Sequence, residues 1–505
     1  MKLSKLKEKL MNQLPENMKP IGLSNKENPN GQSENEILEN NILINPNSKS
    51  LGALNDNGDQ TLYNNPLSKT SVSLLDEVKI IGIVGSRGKT TTAKIIHEYL
   101  LSTGRKSMLF SSAEVFSPAG TSKPGEGSET PLLNEGVLLR ILVEAEAYQP
   151  NFIVLEVNES SISKGLAKDI PFAAKVLTNI FRDHHIDQEP TSRYVENIKS
   201  FFKATDVFSD KESFNESALA VNVFGLTGDI TREEFNELLN LNSSVSYTFG
   251  SVYTAEMKNA NYNNLDTVMH YLNHDINGME INLRSNGEFH RFNTKMIIPH
   301  NAFNILCAIT TLNALKVFEA NLFSKVIADL KTEGRDELFC FNDRKVIVGM
   351  FLAPTLEVLS DYKSKGQINK IRVVVGAPGT GYKGWDSEFM TDFFISQRSK
   401  VRKQAMDYTK QYADFVYLTE NDSGADDTNQ ICNELQSYLK ESMAVSEIIL
   451  DRKEAIRSAI EDSEPGDIVF IAGRGNRSVL VVGEDDAKIL KDSSFVKEML
   501  VDAKN

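Results

Sequence analysis

The chain has 505 residues, 55 Lys and Arg against 69 Asp and Glu, and a formal net charge of -14. That length exceeds one ordinary core, so two or three units are expected. The acidic balance argues against nucleic acid as a partner, because nonspecific phosphate contacts need a cationic surface. At 40% hydrophobic and 25% charged residues the chain reads as globular, and no apolar run approaches the roughly 18 residues that a spanning helix needs, so no membrane insertion is expected. The opening MKLSKLKEKLMNQ has no apolar leader core, which makes a cytoplasmic location the expectation. Cys307, Cys340 and Cys432 are scattered and odd in number, fitting neither a disulfide framework nor a zinc ribbon.

Residues 1–75 form an N-terminal arm, largely low-complexity: a short amphipathic helix over Leu3 to Leu14, then an Asn-, Ser-, Glu- and Pro-rich stretch with few core-forming residues. The first strand is Val78 to Val84, followed by a glycine loop and a helix from Lys89 to Leu101. Strands at Phe152 to Val157, Ala173 to Asn179 and Ala218 to Val223 alternate with helix-length segments, which implies a parallel sheet with crossover helices. Thr248 to Ile298 reads as shorter and antiparallel, and His300 to Phe318 as helix. A second alternating series has strands at Lys345 to Met350, Ile371 to Gly376, Asp414 to Thr419, Ser446 to Leu450 and Asp467 to Ala472. The fold class is therefore α/β, divided into the arm, a central domain over 76–332 and a C-terminal domain over 333–505.

Between the first strand and helix lies Gly85-Ser86-Arg87-Gly88-Lys89-Thr90-Thr91. Glycines let backbone N–H groups approach phosphates, a lysine neutralises them, and a hydroxyl can hold Mg²⁺. The loop is shorter than the usual P-loop signature, and a glycine turn with Lys89 in solvent is the blander reading. Nucleotide binding alone leaves a ligase, a kinase and a GTPase open.

The loop resembles the Gly-Thr-x-Gly-Lys-Thr-Thr loop of the Mur ligases, and further matches follow in order over residues 78–480, closest to the tripeptide synthetase branch that extends UDP-N-acetylmuramoyl-dipeptide. Gly127-Ser128-Glu129-Thr130-Pro131 resembles that branch's Asn-Thr-Thr-Pro, Leu155-Glu156-Val157 its Met-Glu-Val, and Thr178-Asn179 with Arg182-Asp183-His184 its Thr-Asn and Asp-His segment. Lys199 falls where the family carries a carbamylated lysine. His300-Asn301-Ala302-Phe303-Asn304, Glu333-Gly334-Arg335, Asp451 to Ile456, Pro465-Gly466-Asp467 and Ala472-Gly473-Arg474-Gly475 resemble later family motifs.

The resemblance implies a central P-loop ATPase domain, a Rossmann-like C-terminal domain, and an ATP-dependent ligase that joins a carboxylate to an amine through an acyl phosphate, releasing ADP and phosphate. It implies that Lys89, Glu156, His184 and Lys199 are catalytic. Gly85 to Thr91, Asn301 and Arg335 would bind ATP. Thr90, Glu156, His184 and a carbamate on Lys199 would hold Mg²⁺, a cation that prefers oxygen donors. Thr130, Pro131, Asn421 and Arg474 would contact substrate, namely a peptide or small-molecule acceptor of cell-wall type and an amino acid. Either His184 or His185 can take the metal position, because Asp183 to Asp187 carries one residue more than the family segment. Forming the carbamate requires a neutral amine and hence a lowered lysine pKa.

Departures accompany the matches. The arm shows nothing like a UDP-binding domain. Gly349 replaces the aspartate expected on the ribose, and Gly379 to Lys383 keeps the lysine of Gly-Asp-Arg-Asp-Lys without the charges before it. Glu420-Asn421-Asp422-Ser423 replaces the Asp-Asn-Pro-Arg of diaminopimelate-adding enzymes, which disfavours that amino acid. Arg474 and Arg477 are read as a clamp for an α-carboxylate or as a solvated loop. Folylpolyglutamate, cyanophycin and pseudomurein ligases, a non-catalytic nucleotide-binding partner, and an ordinary P-loop NTPase are the competing readings.

Overall fold

A computed structural model describes residues 3–13, 77–117, 120–122, 133–181, 191–203, 220–341, 344–379, 392–440, 442–483 and 486–502. The larger sheet contains β1 (Lys79–Val84), β2 (Ser107–Phe110), β3 (Val115–Ser117), β4 (Gly120–Ser122), β5 (Phe152–Glu156), β6 (Phe172–Leu177), β7 (Val221–Gly225), β8 (Val245–Ser251), β9 (Thr267–Asp275), β10 (Gly278–Ser285) and β11 (Glu288–Thr294), in the order β11-β10-β9-β8-β7-β6-β1-β5-β2-β3-β4. Pairing is parallel from β2 through β5, β1, β6, β7 and β8 to β9, and antiparallel at both ends. The antiparallel reading of the segment from Thr248 thus holds for β9 to β11 but not for β8. That strand pairs parallel with both β7 and β9, a choice made by distant partners and not by its own pattern.

β1 is apolar on both faces because both are covered. Ile81 and Ile83 point to a cluster with Ile95, Ile96 and Tyr99 of α2 (Lys89–Ser102). Ile80 and Val84 point the other way, the alternation a strand imposes. Gly82 leaves room for Phe172: a Cβ there would lie 2.4 Å from its ring. On the Ile80 face, α1 (Leu3–Gln13) buries Leu3, Leu6 and Leu10, at helical spacing, in one core with Leu138, Ile141 and Leu142 of α3 (Glu135–Tyr148). Lys7 pairs with Glu146 and Lys9 with Asp169, so this part of the arm is docked; the remainder, 14–75, lies outside the described residues. α4 (Thr191–Lys203) adds Tyr194, Val195, Ile198, Phe201 and Phe202 to the same core, and α5 (His300–Ala314) covers the opposite face.

The second sheet has β12 (Glu337–Phe341), β13 (Arg344–Gly349), β14 (Ile371–Val375), β15 (Phe415–Leu418), β16 (Val445–Ile448) and β17 (Ile468–Ala472), in the order β12-β13-β17-β14-β15-β16, all parallel except β12. β12 is absent from the sequence reading. β17 lies between β13 and β14, so the last parallel strand is inserted between two earlier ones and the loops after β13, β14 and β17 leave the sheet at the same edge.

Arg452 begins α6 (Arg452–Glu461) with no exposed surface and pairs with Asp492, the equally buried first residue of α7 (Asp492–Asp502), at 2.9 Å. Removing one partner of a buried pair strands the other charge. Asp492→Ala is therefore expected to lose about 3–5 kcal/mol of unfolding free energy, read by denaturant titration. Burial, with Lys94 adding to it, lowers His97 from the ordinary 6.5 to about 3. The unfolded chain therefore binds the proton that the folded one refuses, and stability falls as pH drops from 6.5 towards 3. Between pH 7 and pH 5 the wild type is expected to lose about 2 kcal/mol more than His97→Gln, checked by denaturation at both pH values.

Candidate active site

The sheet order β6-β1-β5-β2 sets four strand ends side by side. β1 delivers the loop Gly85 to Thr91, β5 ends on Glu156, β6 runs into Thr178 and Asn179, and β2 into Ser111 and Ser112. The loop is braced from the β6 side. Ser86 N–H donates to the Asn179 carbonyl at 3.1 Å, Arg87 N–H to Asn179 Oδ1 at 2.9 Å, and Thr178 Oγ1 donates to the Arg87 carbonyl at 2.7 Å. Two of its glycines are obligatory. Gly85 has φ 134° and a Cβ there would lie 2.2 Å from Thr178 Oγ1; Gly88 has φ 82° and a Cβ would lie 2.0 Å from Asn304 Oδ1.

Lys89 opens α2, its ammonium donating to the Gly85 carbonyl at 2.7 Å. Burial lowers its pKa, Glu156 opposes that and Arg335 adds to it. Thr90 Oγ1 donates to Glu156 Oε2 at 2.9 Å, and the same oxygen accepts the Ser112 N–H at 2.9 Å. Among the described residues Glu156 has no ion pair within 4.0 Å, although Lys89 and Arg335 lie close enough to feel its charge. Two hard oxygens at the end of a phosphate-type loop are a donor set suited to Mg²⁺.

The second sheet's loops reach this site. Arg335 Nη2 donates to Ser112 Oγ at 3.1 Å, Asn476 Nδ2 donates to the Ser112 carbonyl at 2.8 Å, and the Arg87 guanidinium stacks over Phe181 at 4.6 Å and Phe351 at 5.3 Å. Lys89, Thr90, Glu156 and Arg335 are thus brought together. Asn301 is buried behind the loop, its amide oxygen accepting from Asn304 at 2.9 Å. Pro299 occupies the N-cap of α5, which places Asn301 within the first turn.

Two expected residues sit elsewhere. Lys199 pairs with Glu237 at 2.7 Å and Glu196 at 3.1 Å, and the Glu237 carboxylate raises its pKa, the opposite of what a carbamate requires. Tyr194, whose hydroxyl lies 3.1 Å from Ser86 Oγ, marks the face of α4 that meets the loop, and five residues along a helix turn Lys199 about 140° from it. Arg474 is fully buried, donating to Asp422 Oδ1 at 2.6 Å and to the Val479 carbonyl at 2.6 Å, so it is neither a solvated loop residue nor a free carboxylate clamp. Burial would raise Asp422, but Arg474 and Arg477 hold it below the usual carboxylate range. Asn421 lies at the carboxyl end of β15, with Oδ1 buried and unpartnered among the described residues. Thr130, Pro131, His184, His185 and Lys383 lie outside the described residues. The sequence reading passed over Ser112, whose only signal is its place after a short buried strand.

Residues 83–312 match the Mur ligase middle domain and 352–475 the Mur ligase glutamate ligase domain, together well over half of the chain. The chain belongs to the Mur ligase family. It is 24% identical over 429 residues to the UDP-N-acetylmuramoyl-L-alanyl-D-glutamate–2,6-diaminopimelate ligase of Helicobacter pylori, covering 85% of each chain. Among solved structures it is similar to MurF from Acinetobacter baumannii, at TM-score 0.56 and 14% identity over 79% of this chain and 76% of that one. It is also similar to MurF ligase from Thermotoga maritima in complex with ADP, at TM-score 0.52 and 17% identity over 79% and 78%. The family is one of ATP-dependent amide-bond-forming ligases, and this chain is such a ligase.

Gly88→Ala would strain a left-handed backbone and push Asn304 off Asn301. A loss of about 1–3 kcal/mol in stability is expected, with weaker nucleotide binding, checked by thermal melting and calorimetric titration with ADP.

Proposed function

We propose that this chain extends a peptide or cell-wall-type carboxylate acceptor by one amino acid, in the cytoplasm, through an acyl phosphate. The observation that carries the reading is the Thr90–Glu156 contact at 2.9 Å, beside Lys89 and within the field of Arg335. In this reading the Gly85 to Thr91 backbone cradles the phosphates, Lys89 neutralises the β and γ groups, and Thr90 with Glu156 holds Mg²⁺. The bound cation would offset the charge of two anions brought together. Arg335, a planar donor delivered by the second α/β unit, supports the transferring phosphoryl group. Asn301 has its amide NH₂ left for the base.

The acceptor carboxylate attacks the γ-phosphorus and ADP leaves. The amine then adds to the acyl carbon, and the tetrahedral intermediate expels phosphate. Residues 76–332 act as the nucleotide-binding unit and 333–505 as the unit that closes over it and brings the amino acid. Asn421 Oδ1, a buried acceptor with no donor among the described residues, suits the ammonium of that amino acid. The relative from Helicobacter pylori is named for diaminopimelate. In this chain Ser423 stands in place of the family arginine and Arg474 is consumed by Asp422, so an amino acid without a distal carboxylate fits better. His184 and the Thr130-Pro131 segment complete the proposed second metal position and acceptor site. A carbamate on Lys199 has no place in it.

Incubation of the purified protein with ATP, Mg²⁺, acidic peptide acceptors and each amino acid in turn is expected to release ADP and phosphate with a product heavier by one residue, read by mass spectrometry. Lys89→Ala should lower the rate by about 10²–10³-fold. Tight ATP binding without turnover across the whole panel would instead make the chain a nucleotide-binding partner.

A further inference from the structure

Every polar atom of Ser112 is engaged. Its N–H donates to Glu156 Oε2 at 2.9 Å, its carbonyl accepts from Asn476 at 2.8 Å, and its hydroxyl lies 2.9 Å from Thr90 Oγ1 and 3.1 Å from Arg335 Nη2. Two partners belong to the phosphate site. The other two come from separate loops of the second α/β unit.

Donor inventory fixes the direction of these bonds. A guanidinium only donates and an ionised carboxylate only accepts. Thr90 has one hydroxyl proton, and it goes to Glu156. The Ser112 hydroxyl must therefore donate to Thr90 and accept from Arg335. The result is one directed chain, Arg335 to Ser112 to Thr90 to Glu156, in which each hydroxyl polarises the next.

The far end of the chain is held by a backbone crossing. A Cβ on Gly334 would lie 2.3 Å from the Gly475 carbonyl carbon and 2.3 Å from Asn476 N, and one on Gly475 would lie 2.7 Å from the Gly334 carbonyl oxygen. That contact sets Arg335 and Asn476 next to each other, both within reach of one serine.

We propose that Ser112 is a positioning residue that locks the second α/β unit over the phosphate loop, fixing Arg335 through its hydroxyl and Asn476 through its carbonyl. The proposal rests on reading Gly85 to Thr91 as the nucleotide site. Ser112→Ala removes only the hydroxyl link and keeps the two backbone bonds, whereas Ser112→Thr keeps all four.

The test uses the full chain. In nucleotide-free protein, hydrogen exchange of the segment 473–483 is expected to quicken about tenfold in Ser112→Ala and to match wild type in Ser112→Thr. In calorimetric titration with ATP and Mg²⁺, Ser112→Ala and Arg335→Ala should each weaken binding about tenfold. The double variant should bind no more weakly than the weaker single, because both break the same chain. Wild-type protection and affinity in Ser112→Ala, or effects that multiply in the double variant, would overturn the proposal. If Ser112→Ala lost its fold, Ser112→Cys, with a poorer donor and acceptor, would carry the same comparison. If the wild type bound no nucleotide, the nucleotide reading would fall while the exchange measurement still decided the latch.

Discussion

Glu156 carries a charge that no cationic side chain among the described residues neutralises by direct contact. It is stabilised by two neutral donors, the Thr90 hydroxyl and the Ser112 amide. A carboxylate so placed keeps its field for something that arrives, and the neighbouring parts are arranged around that fact. Lys89 lies near enough to feel the charge but donates to the loop's own carbonyl, and Arg335 approaches from the second unit and stops at Ser112. The order of four adjacent strands makes this possible, since no single segment of the chain contains these groups.

The carboxyl ends of the second sheet are arranged differently. There Asp422 holds both Arg474 and Arg477, and Arg452 holds Asp492. Such pairs fix loop geometry, and one carboxylate between two guanidiniums leaves that group net positive. Close to them lies the buried Asn421 oxygen, unpartnered among the described residues, beside the close-packed backbone of Gly376 and Gly473. One unit thus presents a carboxylate with no contacting cation among the described residues, suited to a metal ion, while the other pairs its charged side chains internally.

Much of this was legible in the sequence where the chemistry is contiguous. Glycines, lysine and hydroxyl in Gly85 to Thr91 lie within seven residues, and a glutamate ending an apolar strand marks Glu156. Strand positions were legible for the same reason, since buried parallel strands are apolar throughout. What sequence could not show was pairing at a distance. The parallel setting of β8 depends on both neighbours, the burial of Arg474 on Asp422, and the engagement of Lys199 on a glutamate from another helix. Ser112 was invisible because a serine after a strand is commonplace, and its standing comes from four partners spread between Thr90 and Asn476.

The crossing of Gly334 and Gly475 restricts how this protein can vary. Neither position tolerates a side chain unless the opposite backbone gives way, and that backbone belongs to a distant segment whose own neighbour, Asn476, is committed elsewhere. The crossing thus acts as a hinge pin without a side chain: two loops far apart in the chain are kept in step because neither backbone has room to move alone.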